Sequence, residues 1–580
     1  MRSGSFKRND SRAFTPEQFR TRLWFILGLL LLAAIGLLAR AVDLQLMDKG
    51  FLEGQGDARY TRPAKLSAHR GSIFDRNGEP LAVSTPVDTI WVNPPVLQQA
   101  ADQIPRLAEA LNRDPQWITA RLSSNLDRGF LYLVRHMRPQ DAAQVKALGI
   151  PGVNLQREYR RYYPAGEVTG HVLGFSSVDD VGQEGLELAY DHSLGGEAGE
   201  KRVIQDRLGR RVEDVESIRA PRPGQDLTTS IDLRIQYLAY RELKAAIQQH
   251  NAKAGSMIVI DIDTGEVLAM VNQPAFNPND REQLSASRYR NRSATDIFEP
   301  GSSMKPFIAA SAVATGRYHA DTTIDTNPGF MRVGNRLIQD EHLLGAVSLS
   351  TVIAKSSNVG MAKLALSLEP AYMWRTLDAF GFGKVTGSGF PGESAGMLTH
   401  YSHWRAIGQA SMSHGYALSV TSLQLAHAYA VLGAGGISRP VSLRKIAGPV
   451  AGERVLDERV AREMVQIMES VVSDEGTGHR AALYGYRVAG KTGTAWKATN
   501  GGYSTDKYTA TFGGVVPASR PKLAAIVVID EPTGREYYGG DVAAPVFASV
   551  MAGALRLLGV PPDGLDSMAP ATLLRADAAQ

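Results

Sequence analysis

The chain of 580 residues contains no cysteine, which excludes disulfides, thiolate metal sites and a cysteine nucleophile. Histidine is sparse, and none of the 12 histidines falls in an H-E-x-x-H or similar ligand spacing, so no metal and no cofactor are expected. A marked excess of either charge is also lacking. The net charge is +4, with no basic stripe beyond the N-terminus, which argues against a nucleic-acid partner. Internal repeats are absent, and long apolar runs are absent with one exception near the N-terminus. What remains is a chain of ordinary apolar content, 44%, too long for a single domain.

The exception is the uncharged run at 23–39. At about 1.5 Å per helical residue it covers roughly 25 Å, and Ala41 and Val42 extend it toward a bilayer core of about 30 Å if Arg40 snorkels. Before it lie Arg2, Lys7, Arg8, Arg12, Arg20 and Arg22 against Asp10 and Glu17. Positive charge stays on the cytoplasmic side. The reading is a cytoplasmic tail at 1–22, a single uncleaved anchor at 23–42, and the bulk of the chain across the membrane. Arg40 follows the run at once and leaves no good small-residue cleavage site, which argues against a signal peptide.

The stretch 43–224 is rich in arginine and carries two dense clusters. In the first, at 69–78, Asp75-Arg76-Asn77-Gly78 has the chemistry of a tight turn between strands. The second, at 157–164, interleaves arginine and tyrosine. It is read as a surface strand facing acidic loops such as 184–187, rather than as a nucleic-acid or glycan site. Helices are predicted at 104–111 and 139–148. A Pro-rich linker at 219–224 divides this stretch from a second domain at 225–562. There the pattern predicts a strand at 227–231, a helix at 233–250 and a hairpin at 256–271. A largely helical region follows at 302–468, then strands at 486–494, 510–516 and 523–530, and a closing helix at 543–558. Strands at both ends of a helical middle imply an α+β fold, an antiparallel sheet assembled from distant segments with helices packed on it. The tail at 563–580 is expected to be disordered.

Three short motifs carry the chemistry. Ser302-Ser303-Met304-Lys305 reads S-x-x-K, Ser356-Ser357-Asn358 reads S-x-N, and Lys491-Thr492-Gly493-Thr494 reads K-T-G-T. Each alone is weak; in this order they resemble the site of a penicillin-recognising serine acyltransferase. Pro300-Gly301 stops the preceding segment and opens a helix over 303–313, with Pro306 tolerated in the first turn. Ser302 and Lys305 then share a face. A serine needs an adjacent base, and a lysine amine can be that base if desolvation and a nearby cation lower its pKa. A helix start at Ser302 also offers N–H groups to an oxyanion. Ser356 can relay a proton and Asn358 can bond a substrate amide. Lys491 supplies positive potential on an edge strand. The hydroxyls of Thr492 and Thr494 can bind a carboxylate, and the Thr494 N–H is a second oxyanion donor. Gly493 is expected to let a substrate backbone come close.

At this point the chain resembles the class B, high-molecular-weight penicillin-binding proteins. Beyond the motifs, the resemblance is carried by 70–78, by R-Y-Y-P-A-G at 161–166 and by G-Q-E-G-L-E at 182–187. His414-Gly415-Tyr416 and the run from Tyr538 to Phe547 add to it. It implies an elongated periplasmic pedestal and a serine β-lactamase-like transpeptidase domain. It further implies cross-linking of peptidoglycan stem peptides ending in D-Ala-D-Ala at the septum, and acylation of Ser302 by β-lactam antibiotics. The implied partners are an FtsW-type glycosyltransferase and other division proteins, since no glycosyltransferase domain is visible. Met304 stands where many relatives carry valine.

Residues 485–492 match the P-loop pattern G-x-x-x-x-G-K-[ST], but a P-loop needs a helix opening at the lysine, and Gly493-Thr494-Ala495-Trp496 favours an extended segment. A β-lactamase needs a deacylating glutamate after the S-x-x-K helix, and no E-x-x-L-N string follows Ser302.

Overall fold

A computed structural model of the chain describes residues 16–43, 61–205, 211–280, 282, 285–499 and 502–565. Of the tail expected at 563–580, residues 566–580 lie outside the described residues, as does most of the segment before the anchor. Contacts divide the chain into two compact units. The first comprises 1–67, 88–156 and 198–221; the second comprises 68–87, 157–197 and everything from 222 onward.

In the first unit, helix Pro16–Val42 holds a candidate membrane span at Arg20–Val42. Its large apolar side chains from Leu23 to Val42 face solvent; Trp24 and Leu32 are 72% and 70% exposed, which leaves them suited to a lipid surround. The same unit contains a small α/β core. Helices Pro94–Gln99, Ile104–Ala110, Pro115–Ser123 and Pro139–Ala147 pack with strand Leu131–Met137 around Ile90, Leu107, Ile118, Leu122 and Leu133. Two of these helices were predicted. The other two announce themselves only by Asn93 and Asp114, whose side chains cap them by accepting from Val96 N and Gln116 N.

The second unit is built on a five-stranded antiparallel sheet. We label its strands β1 (Ala254–Asp261), β2 (Val267–Gln273), β3 (Ala489–Thr499), β4 (Gly502–Val516) and β5 (Leu523–Asp530). Their order across the sheet is β2-β1-β5-β4-β3, so a strand from the end of the chain lies beside β1. The helices used below are α1 (Leu233–Gln249), α2 (Lys305–Val313), α3 (Asn358–Leu366), α4 (Ser422–Gly433), α5 (Glu458–Val472) and α6 (Ala544–Leu557).

Side chains alternate across the sheet, as the two-residue period of a strand requires. Met257, Val259, Val527 and Phe512 join α1 and α6 in one core, with Leu243, Phe547 and Val550. Ile258, Ile260, Ile526 and Val528 point to the other face and join α2, α4 and α5, with Phe307, Tyr429 and Met464. Both faces are covered, which is why β5 reads as an unbroken apolar run. The stretch Gly539–Leu557, which ends in α6, also has the length and apolarity of a membrane span, but it belongs to the core: Phe547, Val550 and Leu555 are fully buried.

Several predicted elements differ in detail. The strand at 227–231 is reduced to Leu227–Thr228, paired in parallel with Ile73–Phe74. The strand predicted from 486 begins at Ala489, because Gly485 turns the chain with a positive φ of 78°. The helical middle also contains short ribbons. One, Phe330–Val333 with Arg336–Gln339, turns through Gly334-Asn335, a hairpin signal that was present in the sequence.

The arginine clusters turn inward. Arg70 and Arg161 both bond Glu187, at 2.8 and 2.6 Å, and all three side chains are buried. The acidic partner at 184–187 is the expected one, but the surface location expected for the strand at 157–164 is overturned at Arg161, which is buried. Burial follows because the guanidinium finds Gly71 O and Ser84 Oγ as further acceptors. At the tight turn, Asp75 Oδ1 accepts from Asn77 N and Glu79 N, and Gly78 takes the positive φ.

Candidate active site

A cleft of about 760 Å³ opens in the second unit and is lined by Ser302, Ser356, Asn358, Thr492 and Thr494, among others. Ser302 lies in a 3-10 turn, Gly301–Met304, that runs into α2, so the predicted helix begins two residues late. Pro306 sits in its first turn. The next serine is anchored: Ser303 Oγ donates to Pro300 O at 2.6 Å, and Ser303 O accepts from the buried Tyr429 hydroxyl at 2.9 Å. Ser303 and Met304 are fully buried, while Ser302 keeps its side chain on the cleft. One face of the turn is thus fixed in the core and the other presents a hydroxyl.

Lys305, one turn further, is fully buried. Its ammonium donates to Asn358 Oδ1 at 2.8 Å, to Ser356 Oγ at 3.1 Å and to Ser356 O. Loss of water lowers its pKa to about 7, against the raising effect of Asp340 and Glu341. Lys491 enters from β3 and is equally buried. It donates to Ser356 Oγ at 3.0 Å, Thr492 O at 3.1 Å and Thr492 Oγ1 at 3.2 Å. Its pKa is lowered well below the usual lysine range, first by burial and then by the charge of Lys305. Burial therefore works against the positive potential expected of Lys491 when no anion is bound.

Ser356 stands between the two amines. Its φ of 59° belongs to a junction between helix Leu349–Ala354 and α3. With both lone pairs occupied by lysine donors, its own proton remains to be given. The junction is held by a residue no motif announces. Asp340 accepts from Ser357 Oγ at 2.6 Å, Asn358 N at 2.5 Å and Val359 N at 2.9 Å, so a carboxylate caps the N-terminus of α3. Asn358 is fixed at both ends of its amide, by Lys305 and by Gln339 O.

The edge strand β3 completes the cleft. Thr492 Oγ1 meets Thr477 Oγ1 at 2.8 Å, and Thr494 Oγ1 accepts from Gly539 N at 3.0 Å. Gly493 has a different use from the one expected. A Cβ there would stand 2.3 Å from Thr511 Oγ1, 2.9 Å from Pro300 O and 3.0 Å from Ser303 N. The glycine lets the strand pack against the segment bearing Ser302. Lys491 pairs with Gly513 in an antiparallel ladder, and no helix opens there, so the P-loop pattern has none of its required geometry. Outside the motifs, Tyr416 OH accepts from Trp496 N at 3.1 Å and its ring meets Tyr503 at 5.2 Å. Tyr416 was visible only through the family-like string that contains it.

Sequence comparison agrees with this geometry. A family model described as the penicillin binding protein transpeptidase domain matches residues 255–552, and one described as the penicillin-binding protein dimerisation domain matches 65–229. The chain belongs to the class B penicillin-binding proteins. It is 43% identical over 549 residues to the peptidoglycan D,D-transpeptidase FtsI of Escherichia coli (strain K12), covering 94% of this chain and 93% of that one. The probable peptidoglycan D,D-transpeptidase PbpC of Pseudomonas aeruginosa is 40% identical, covering 94% and 96%. The solved transpeptidase domain of Burkholderia pseudomallei penicillin-binding protein 3 is 42% identical with a TM-score of 0.54, covering 58% of this chain and 97% of that domain.

Proposed function

We propose that the chain is a septal peptidoglycan D,D-transpeptidase that works through an acyl-enzyme on Ser302. The observation that carries this reading is the Lys305 amine, buried, held near a pKa of about 7 and linked through Ser356 to a second buried amine. Neutral Lys305, one turn from Ser302, takes the hydroxyl proton as the serine attacks the carbonyl of the penultimate D-alanine. The N–H groups of Ser302 and Thr494 receive the developing oxyanion. Ser356, which touches both amines, returns the proton to the departing D-alanine. Thr492, Thr494 and Lys491 bind the terminal carboxylate, whose negative charge opposes the lowering of the Lys491 pKa by burial. Asn358 borders the donor peptide, and Gly493 seats the Ser302 turn. An amine of a second stem peptide then displaces Ser302. β-Lactams enter the same path and stop at the acyl-enzyme.

Residues 1–22 are read as cytoplasmic, 23–42 as an inner-membrane anchor, 43–224 as a periplasmic pedestal and 225–562 as the transpeptidase domain. Glycan polymerisation falls to an FtsW-type partner. Fluorescent penicillin tests the central claim. Ser302→Ala should abolish covalent labelling with a nearly unchanged melting temperature, and labelling that persists on another residue overturns the assignment.

A further inference from the structure

The acyl-transfer reading above leaves open how the acceptor amine is drawn to the cleft in preference to water. The carboxylates at the cleft answer this by elimination. Asp340 is committed to three donors on the Ser356 junction. Asp541 lies 3.5 Å from the Arg480 guanidinium. Glu341, the next cleft-lining residue after Asp340, is exposed and has no hydrogen bond or ion pair among the described residues. It lines the same cleft as Ser302, as Tyr538, and as Ser356 and Asn358, the partners of the Lys305 amine. An exposed carboxylate on that lining meets a cation entering toward Ser302.

We propose that Glu341 is a specificity residue for the acceptor: it binds the ammonium with which an amine acceptor arrives at neutral pH. This rests on the acyl-enzyme reading. The chemistry that follows balances without another reactant. The ammonium gives one proton to neutral Lys305, the free amine attacks the Ser302 ester carbonyl, and a C–N bond forms. As the C–Oγ bond breaks, the second amine proton passes to the Ser302 oxygen. One proton in total is released to solvent from Lys305. Glu341 takes no proton and forms no bond; it concentrates the cation near the ester and leaves neutral nucleophiles unfavoured.

The test uses the detergent-solubilised full chain, a D-alanyl thioester as donor, and two nucleophiles. D-Alaninamide is largely an ammonium at pH 7, and hydroxylamine is largely neutral. The readout is the concentration of each nucleophile that half-saturates transfer. An ion pair at an exposed carboxylate contributes up to about 1 kcal/mol, so Glu341→Gln should raise the D-alaninamide value about two- to fivefold relative to hydroxylamine. Glu341→Asp should recover part of the preference. In the unaltered protein the preference should shrink as salt rises, and in Glu341→Gln it should not depend on salt. An equal change for both nucleophiles, or no change for D-alaninamide, overturns the proposal. Failure of the unaltered protein to form any acyl-enzyme from the thioester overturns the acyl-transfer reading, and this inference with it.

Discussion

At the scale of single residues, two buried lysines share one serine hydroxyl and differ in what perturbs them. Lys305 is the better placed proton acceptor, because a pKa of about 7 leaves much of it neutral under working conditions yet basic enough to hold a proton. The rate of β-lactam acylation should therefore rise as pH climbs through about 7 and level off above it, a profile read by stopped-flow quenching. Lys305→Ala should lower that rate at least about a hundredfold, the lower range for one general base. Lys491→Arg, which retains a cation, should keep part of it. Equal loss in the two variants would show that the division of labour is wrong. Lys491 carries its own test. Its pKa is depressed by burial and by the charge of Lys305, so a bound carboxylate should raise it and draw a proton from solvent. Calorimetry of penicillin binding to the Ser302→Ala variant, in buffers of different ionisation enthalpy and over a pH series, should register proton uptake; no buffer dependence at any pH would contradict it.

At the scale of elements, the site depends on two close fits. The first is β3 against the Ser302 turn. Gly493→Ala places a methyl 2.3 Å from Thr511 Oγ1 and 2.9 Å from Pro300 O, so the strand or the turn must shift. Acylation should fall more than tenfold in rate while far-ultraviolet circular dichroism stays native, since misplacement of reacting groups by an ångström costs about that much or more. The second is the carboxylate cap on α3. Asp340→Asn keeps the shape and removes the charge, and should slow acylation by loosening Ser356 and Asn358. These fits also mark where the sequence stops being readable. The S-x-x-K, S-x-N and K-T-G-T residues were identified from local pattern, because one turn of helix or one strand brings each group to a common face. Asp340 has no such signature. It lies in a loop after a short ribbon, and only tertiary packing brings it to Asn358. The role of Gly493 was hidden for the same reason: what a glycine makes room for is a neighbour distant in the chain. Amphipathic helices such as α5 and two-sided strands such as β5 were legible, whereas the ribbons within the helical middle were masked by their shortness.

At the scale of the whole molecule, the second unit is drawn together by a charged centre rather than by apolar contact alone. Glu187 is fully buried between Arg70 and Arg161, and Arg70 also reaches Asp191 at 2.6 Å. Replacing the pair-forming acid leaves two cations in a dry interior, and breaking a buried ion pair this way costs about 3–5 kcal/mol. Glu187→Ala should thus lower the melting temperature by several degrees or prevent folding. Glu187→Gln, which keeps the acceptor oxygen, should lose less. A variant as stable as the parent would show that this centre is dispensable.

The order of strands in the sheet has a consequence for the timing of activity. The nucleophile and its lysine are made early, and the K-T-G-T residues much later, yet β3 is fastened to β1 only through β4 and β5. A nascent chain released after Thr499 would possess every catalytic side chain and still lack the scaffold that aligns them. Competence to react with penicillin should consequently switch on late, once Asp530 has been added and β5 has slotted beside β1. A growing polypeptide of this design is chemically silent for most of its synthesis.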